Sequence, residues 1–359
     1  MPKSVNRKII IITSVYPPDV AGPAMQFARL KNAWEQRGRS VSVMIRPGFF
    51  QLLKGIDRQD AVLVHATPKV LLPVAGAKIF KRFRAVARVG GDFFWERAVE
   101  DGRFRGTLRD FYARRRFTVK ERCMRWLIGA CLRKMDAIVF TAALLRDIYV
   151  PLFRLDAKKV FAIMHPATLL ETAKPESRMG GDDPVKRIRL LYAGRFLKLK
   201  NLMMLLEVFA EARKNHPGLT LTLIGDGPEK EKLKMQSVDL KIKDAVEFKE
   251  PADHATILEE IALSGLVVLP SLSEVSPNLL MDALAAGTPV LATRENGIRD
   301  NLGEAGLWFD PMSKEDFLGK LEATLQPGQL DAMRERMKRS THRKTWGDAA
   351  EEYEKILYM

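Results

Sequence analysis

Short aliphatic and β-branched runs, each ending in a turn and followed by a segment of helical period, recur along this chain and dictate its fold class. Residues 7–13 (RKIIIIT) read as a buried strand, 25–37 as a helix closed by Gly38, and 40–45 as the next strand. Residues 61–64 and 85–89 are further short strands. A long basic helical region over 106–135 leads to a strand at 137–140, and 160–164 ends the series. Residues 171–186 (ETAKPESRMGGDDPVK) are polar and rich in Gly and Pro, which marks a linker. A second series follows, with strands at 188–193, 219–224, 245–248, 266–269, 290–292 and 306–309 and helices at 201–215 and 255–263. Strands alternating with helices imply parallel sheets covered on both faces. Two such domains imply ligand binding in a cleft at strand carboxyl ends.

The expected division is an N-terminal domain over 1–170, the linker 171–186, a second domain over 187–342, and a C-terminal helix over 343–359. At 359 residues the chain exceeds one compact core. The N-terminus runs directly into a β-branched strand, with no secretory pattern. The apolar run 61–80 is broken by His65, two prolines and two lysines, so no membrane span is read. Cys123 and Cys131 fall on one helix about 12 Å apart, too far to bridge. That favours a reducing cytoplasm and speaks against structural zinc. Charge is one-sided: residues 1–170 hold 32 Lys and Arg against 13 Asp and Glu, and residues 171–359 hold 27 against 31. Such a basic domain points to an anionic surface, an anionic substrate or nucleic acid.

The stretch 271–287 (SLSEVSPNLLMDALAAG) carries the clearest chemistry. Ser276 and Pro277 read as N-cap and first helical residue, and Gly287 as the stop. The helix is apolar on nearly every face, with Asp282 its one charge, so that carboxylate needs polar partners. Glu274 lies just before the same helix start, beside backbone amides that attract anions. Alternatively, Asp282 bonds to neighbouring backbone and Glu274 is a solvated loop residue. Residues 192–201 (YAGRFLKLKN) set Arg195 and Lys200 between a strand and a helix, where they could clamp a diphosphate, with Gly194 allowing close approach. A solvated basic loop is the competing reading. Gly225 and Gly227 lie in a second turn after a strand (LIGDGP), and Gly22 in a third, which opens the first helix; with Gly194 they are read as binding the ligand, although Asp-Gly-Pro also marks ordinary turns.

With ILEEIALSGLVVLPS, these motifs stand in order and at matching intervals, and together they resemble the family-4 retaining glycosyltransferases, two Rossmann-like domains in the GT-B arrangement. Seven residues separate Glu274 and Asp282, similar to that family's paired-glutamate motif. The resemblance implies that Arg195 and Lys200 hold the donor diphosphate, and that Glu274 faces the donor sugar. Asp282 would bind the ribose, and Gly22 would let its loop approach the diphosphate. Lys249, Glu250 and Pro251 would sit beside the base, with Ser276, Pro277 and Asn278 at the helix start. The implied reaction is transfer of a sugar from a nucleotide-diphosphate donor with retained configuration, of hexosyltransferase type. No cofactor beyond that co-substrate is implied, and no metal; the amphipathic C-terminal helix over 343–359 would cross back to brace the N-terminal domain.

Asp282 departs from the family's usual glutamate by one methylene. Where many members carry a histidine after a first-domain strand, this chain has Arg88 to Glu96 (RVGGDFFWE). There Asp92 could face the sugar or cap the next helix. His65 ends a strand and could enter the cleft or pack; His165 reads as interdomain or linker structure. Residues 81–134 hold 16 basic and 6 acidic residues interleaved with aromatics. An amphipathic helix there could meet anionic lipid, placing the protein peripherally on the inner membrane face near a glycan or lipid-linked acceptor; equally, its apolar face could pack on the sheet. A non-catalytic GT-B scaffold and a nucleic-acid binder are the alternatives, although no nucleic-acid motif is present.

Overall fold

The computed structural model describes residues 7–18, 22–114, 117–164, 166, 188–299, 306–339 and 344–359. The linker 171–186 and His165 lie outside the described residues.

The chain forms two units. The first comprises Met1–Phe94, Tyr112–Pro166 and Lys344–Met359. Its sheet contains β1 (Ile9–Thr13), β2 (Val41–Ile45), β3 (Ala61–His65), β4 (Arg84–Val89), β5 (Ala137–Phe140) and β6 (Val160–Ala162), ordered β2-β1-β3-β4-β5-β6. Every pairing is parallel, as long helical crossovers require. Ile9 and Ile11 pack with Leu63, Val86 and Val139, under Phe27, Leu30 and Trp34 of the helix Gly22–Gln36. The C-terminal helix Trp346–Leu357 adds Ala349, Ala350, Tyr353, Ile356 and Leu357 to this core. Thr345 starts that helix through a capping box with Asp348, and the Trp34 indole donates to the Ala350 carbonyl at 3.0 Å.

The second unit comprises Trp95–Phe111 and Ala167–Arg343. Its sheet contains β7 (Arg189–Ala193), β8 (Thr220–Ile224), β9 (Val246–Lys249), β10 (Leu266–Leu269), β11 (Val290–Thr293) and β12 (Leu307–Phe309). The order is β12-β11-β10-β7-β8-β9, again all parallel. Strand order reverses between β7 and β10 here, and between β1 and β3 in the first sheet. Those are the switch points where doubly wound sheets leave room for ligands.

Three sequence expectations change, and one segment gains detail. Residues 95–111, expected in the first domain, group with the second unit. There the Glu100 carboxylate accepts from the Leu199 amide at 3.0 Å, and the Leu108 amide donates to Ser273 at 2.9 Å. The basic region 106–135 is two helices, Leu108–Ala113 and Val119–Arg133, because Thr118 and Glu121 start the second with a capping box. The apolar run 61–80 resolves into β3 and the helix Pro68–Phe80, which tolerates Pro73 in its interior. The helix Asn278–Ala286 begins one residue later than expected, with Pro277 at the N-cap and Ser276 before it. Extended backbone at Pro277 (ψ 103°) keeps it out of the first turn.

Candidate active site

At the switch point of the second sheet, the loops after β7 and β10 meet. The first runs through Gly194 to a short 3₁₀ turn at Lys198–Lys200; the second runs from Pro270 to Pro277. The Leu272 amide donates to the Leu199 carbonyl at 2.9 Å, fastening the loops together. Across that junction the Lys200 ammonium is paired with the Glu274 carboxylate, and Ser271 Oγ donates to Glu274 Oε1 at 2.7 Å. Glu274 is fixed through its backbone as well. Its amide donates to Glu295 and its carbonyl accepts from Gly297, both at 2.8 Å, around a parallel bridge to Asn296. Behind the pair, burial and the Glu274 carboxylate push the Tyr192 phenol well above its ordinary range. The Tyr192 hydroxyl donates to the Arg195 carbonyl at 3.1 Å, holding the loop, while the Arg195 side chain is exposed. Among the described residues the Arg195 guanidinium has no hydrogen-bond or ion-pair partner.

Gly225 and Gly227 have a reason of their own. A Cβ on Gly225 would stand 1.9 Å from the Gly194 carbonyl oxygen, and one on Gly227 would stand 2.4 Å from that of Phe196. The two turns interlock through bonds from Gly194 to Ile224 (2.9 Å), Phe196 to Asp226 (2.8 Å) and Glu229 to Phe196 (3.1 Å). Both glycines, expected at the ligand, thus permit backbone to lie on backbone and so set the position of the Arg195–Lys200 loop.

Asp282 is buried, and its partner is a side chain rather than backbone: Oδ2 lies 3.1 Å from His254 Nε2, at the start of the helix His254–Ala262. Lys249 bonds Glu260 at 2.8 Å, and Glu250 bonds Lys230 at 2.7 Å. The Lys249 carbonyl accepts from the Gly225 amide at 3.0 Å, which ties residues 249–251 to the glycine turn. Burial alone would raise the Glu260 carboxyl; Lys249 and Arg189 beside it hold it below the usual range.

The first unit holds the remaining candidates. Gly22 opens the helix Gly22–Gln36. His65 ends β3 at that sheet's switch point, its Nδ1 3.2 Å from both Thr13 Oγ1 and Ser14 Oγ. Burial and the Arg88 guanidinium press the imidazole down to about 3, so it is neutral at ordinary pH. Asp92 is fully buried, and its Oδ2 accepts from Tyr112 at 2.5 Å and Tyr149 at 2.8 Å. In this structure that carboxylate is occupied by phenols rather than open to solvent.

Neither His254 nor Glu295 was legible in the sequence. His254 meets Asp282 across 28 positions, and nothing in local spacing marks such a pairing. Glu295 lies 3.5 Å from Arg109, but burial still raises its carboxyl above the usual range. Ser271 precedes Glu274 by three residues, and that spacing was visible. Among the described residues no cluster of His, Cys, Asp and Glu could hold a metal ion, and no helix is long and apolar enough to cross a membrane.

Residues 174–344 match the family model for glycosyl transferases group 1. A D-inositol 3-phosphate glycosyltransferase of Acidothermus cellulolyticus is 31% identical over 180 residues, 46% of this chain and 39% of that protein. The lipopolysaccharide core biosynthesis glycosyltransferase LpsE of Rhizobium meliloti is 31% identical over 153 residues, covering 42% and 43%. The chain spans less than half the length of these curated relatives. Among solved structures, Anabaena Alr3699/HepE in complex with UDP aligns over 98% of this chain and 99% of that one, with a TM-score of 0.73 and 15% identity. WaaG, a glycosyltransferase involved in lipopolysaccharide biosynthesis, aligns over the same shares with a TM-score of 0.70 and 15% identity. At such identity these likenesses establish the fold alone: two Rossmann-like units of the GT-B class.

Proposed function

We propose that the chain moves a sugar from a nucleotide-diphosphate donor to a hydroxyl of a glycan, lipid-linked or cell-envelope acceptor, with retention and without a metal ion, a reading supported by the match of residues 174–344 to the group 1 glycosyl transferases. The observation that carries this reading is the Lys200–Glu274 pair at the switch point, braced by Ser271 and by the Leu199–Leu272 backbone bond. The switch point in the sheet topology supports that spot as the ligand crevice, and the pair offers a cation and an acid there, side by side.

In the reaction proposed, the bond from the anomeric carbon to the β-phosphate oxygen breaks as the acceptor oxygen attacks from the same face. The acceptor proton passes to the departing diphosphate. Arg195 and Lys200 stabilise the charge growing on the leaving group, and Glu274 faces the sugar as it gains oxocarbenium character. Because Lys200 already holds Glu274, donor binding inserts phosphate into a preformed ion pair, while the exposed Arg195 supplies new charge. Asp282, with His254 behind it, takes the ribose hydroxyls; the chain around Lys249, Glu250 and Pro251 lies beside the base. The start of the helix Asn278–Ala286 adds its positive dipole end to the diphosphate. A cytoplasmic, peripheral position on an anionic membrane belongs to the same reading. Relatives named for an inositol phosphate and for lipopolysaccharide core support a polar, envelope-type acceptor.

Turnover of a panel of nucleotide sugars in excess EDTA tests the proposal. Lys200→Met and Glu274→Gln should each lower kcat/KM by about 10²–10³-fold, or 3–4 kcal/mol. Unchanged turnover in both variants contradicts the roles, and loss of turnover in EDTA contradicts metal independence.

A further inference from the structure

The first unit carries a surface that the transfer chemistry does not use. Arg58, Lys78, Lys81, Arg82 and Arg84 line a pocket of about 380 Å³ with Phe83 and Asp136. Arg58 precedes β3, and residues 78–84 run from the end of the helix Pro68–Phe80 into β4. The pocket therefore sits at the amino ends of these strands, away from the carboxyl ends where His65 lies. Of its five cations only Lys78 meets an acid, Asp136. Lys81 and Arg84 donate to the carbonyls of Leu53 and Ile356. Arg58 and Arg82 are exposed and have no partner among the described residues. Five cations against one carboxylate are uncompensated charge, and such a pocket attracts an anion.

Its rim is apolar and bare. Phe80 is 74% exposed and Ile79 is 64% exposed, at the end of the helix that leads into the pocket. Phe50, also 74% exposed, projects from the helix Phe49–Gly55, and the half-buried Phe49 ring meets both Phe50 (5.5 Å) and Phe80 (5.6 Å). Lys81 bonded to the Leu53 carbonyl ties the two helices together, so rim and pocket are one surface. Exposed Phe and Ile beside unpaired Arg is the pattern of an interfacial binder, whose apolar tips enter acyl chains while its cations meet headgroups.

We propose that this surface docks on an anionic lipid bilayer, with a headgroup phosphate in the Arg58–Arg82 pocket and Phe50, Ile79 and Phe80 in the acyl boundary. A second copy of the chain fits less well, because a self-complementary contact would set two such cationic pockets face to face. The aliphatic tip of Ile79 serves a bilayer, whereas a nucleic-acid groove has use only for the rings and the cations. The inference deepens the peripheral position in the proposed function and rests on it only in requiring an anionic surface near the protein. It places the contact on the helices Phe49–Gly55 and Pro68–Phe80 rather than on the helix Val119–Arg133, which packs against the latter and where basic and aromatic residues first suggested one.

Co-sedimentation of the full chain with phosphatidylcholine vesicles, with and without phosphatidylglycerol, is the test. Wild type should pellet only with the anionic vesicles. Phe50→Ser/Phe80→Ser and Arg58→Gln/Arg82→Gln should each weaken binding about tenfold or more, whereas Trp126→Ser should leave it unchanged. All these side chains are exposed, so matching thermal melts will show that the variants remain folded. Equal binding by both double variants, or loss with Trp126→Ser, overturns the proposal. So does binding to single-stranded DNA that falls with the Arg variant while vesicles stay unbound, or a dimer in sedimentation that the Phe variant dissolves. Donor turnover in detergent, measured on the same samples, separates failure of this surface from failure of the transfer reading.

Discussion

Gly225 carries a constraint that no other residue type meets: with φ +144° and the Gly194 carbonyl 1.9 Å from where a Cβ would stand, any side chain displaces the Arg195–Lys200 loop. Gly225→Ala should cost about 3 kcal/mol or more, since backbone rather than a flexible side chain must move. A urea titration would read this as a lower midpoint, and a loss of nucleotide affinity should accompany it. His65 makes a different prediction. Its folded pKa, about 3, lies below its ordinary 6.5, so the folded chain refuses a proton that the unfolded chain accepts. Stability therefore falls as pH drops from 6.5 towards 3, by up to about 1.4 kcal/mol per unit. In His65→Gln that component should vanish, which urea midpoints at neutral pH and near pH 5 would show. The Asp282–His254 contact lives on this scale too: the acid was legible as the single charge of an apolar helix, but its partner was not, because tertiary folding alone brings the two together.

The helix Trp346–Leu357 is the element whose removal should matter most. It supplies Ala349, Ala350, Tyr353, Ile356 and Leu357 to the first unit's core, from the far end of the chain. Tyr353 also accepts from the buried Arg88 at 3.1 Å, and Glu354 holds Arg39 at 2.8 Å. Tyr353→Ala should therefore cost about 3–5 kcal/mol through the cavity and the Arg88 Nε left without its acceptor. A fall of that size in unfolding free energy, with little change in denaturant slope, is the expected result. Its amphipathic pattern was legible and the family resemblance implied its return to the first domain; which residues of that core it meets was not legible. The helix Asn278–Ala286 shows the usual limit of boundary reading. Its Gly287 stop stands where the sequence placed it, with φ +68°, while its start moved by one residue once Pro277 took an extended conformation.

On the scale of the whole molecule, charge and ligand linkage give the tests. A nucleoside diphosphate that binds only the folded state should stabilise the chain by about 2.7 kcal/mol at 100 times its Kd. The nucleoside giving the largest shift in melting temperature would identify the base, and Lys200→Met should abolish most of that shift. Repeating strand–helix alternation was enough to imply two parallel α/β sheets. It was not enough to assign residues 95–111, which begin inside one series yet group with the other unit through Glu100 and Ser273.

By itself the sequence determined the periodic elements, the parallel class of both sheets, and which loops carry cations and acids, because these depend on neighbours within a turn or two. Tertiary structure decided the rest. Only strand order places the β7 and β10 loops side by side, so that Lys200 finds Glu274 across 74 positions. Likewise, only packing shows that Gly225 and Gly227 serve backbone contact, and that unpaired arginines gather beside bare phenylalanines. Contacts between distant residues leave no local period, and it is those contacts that make the site.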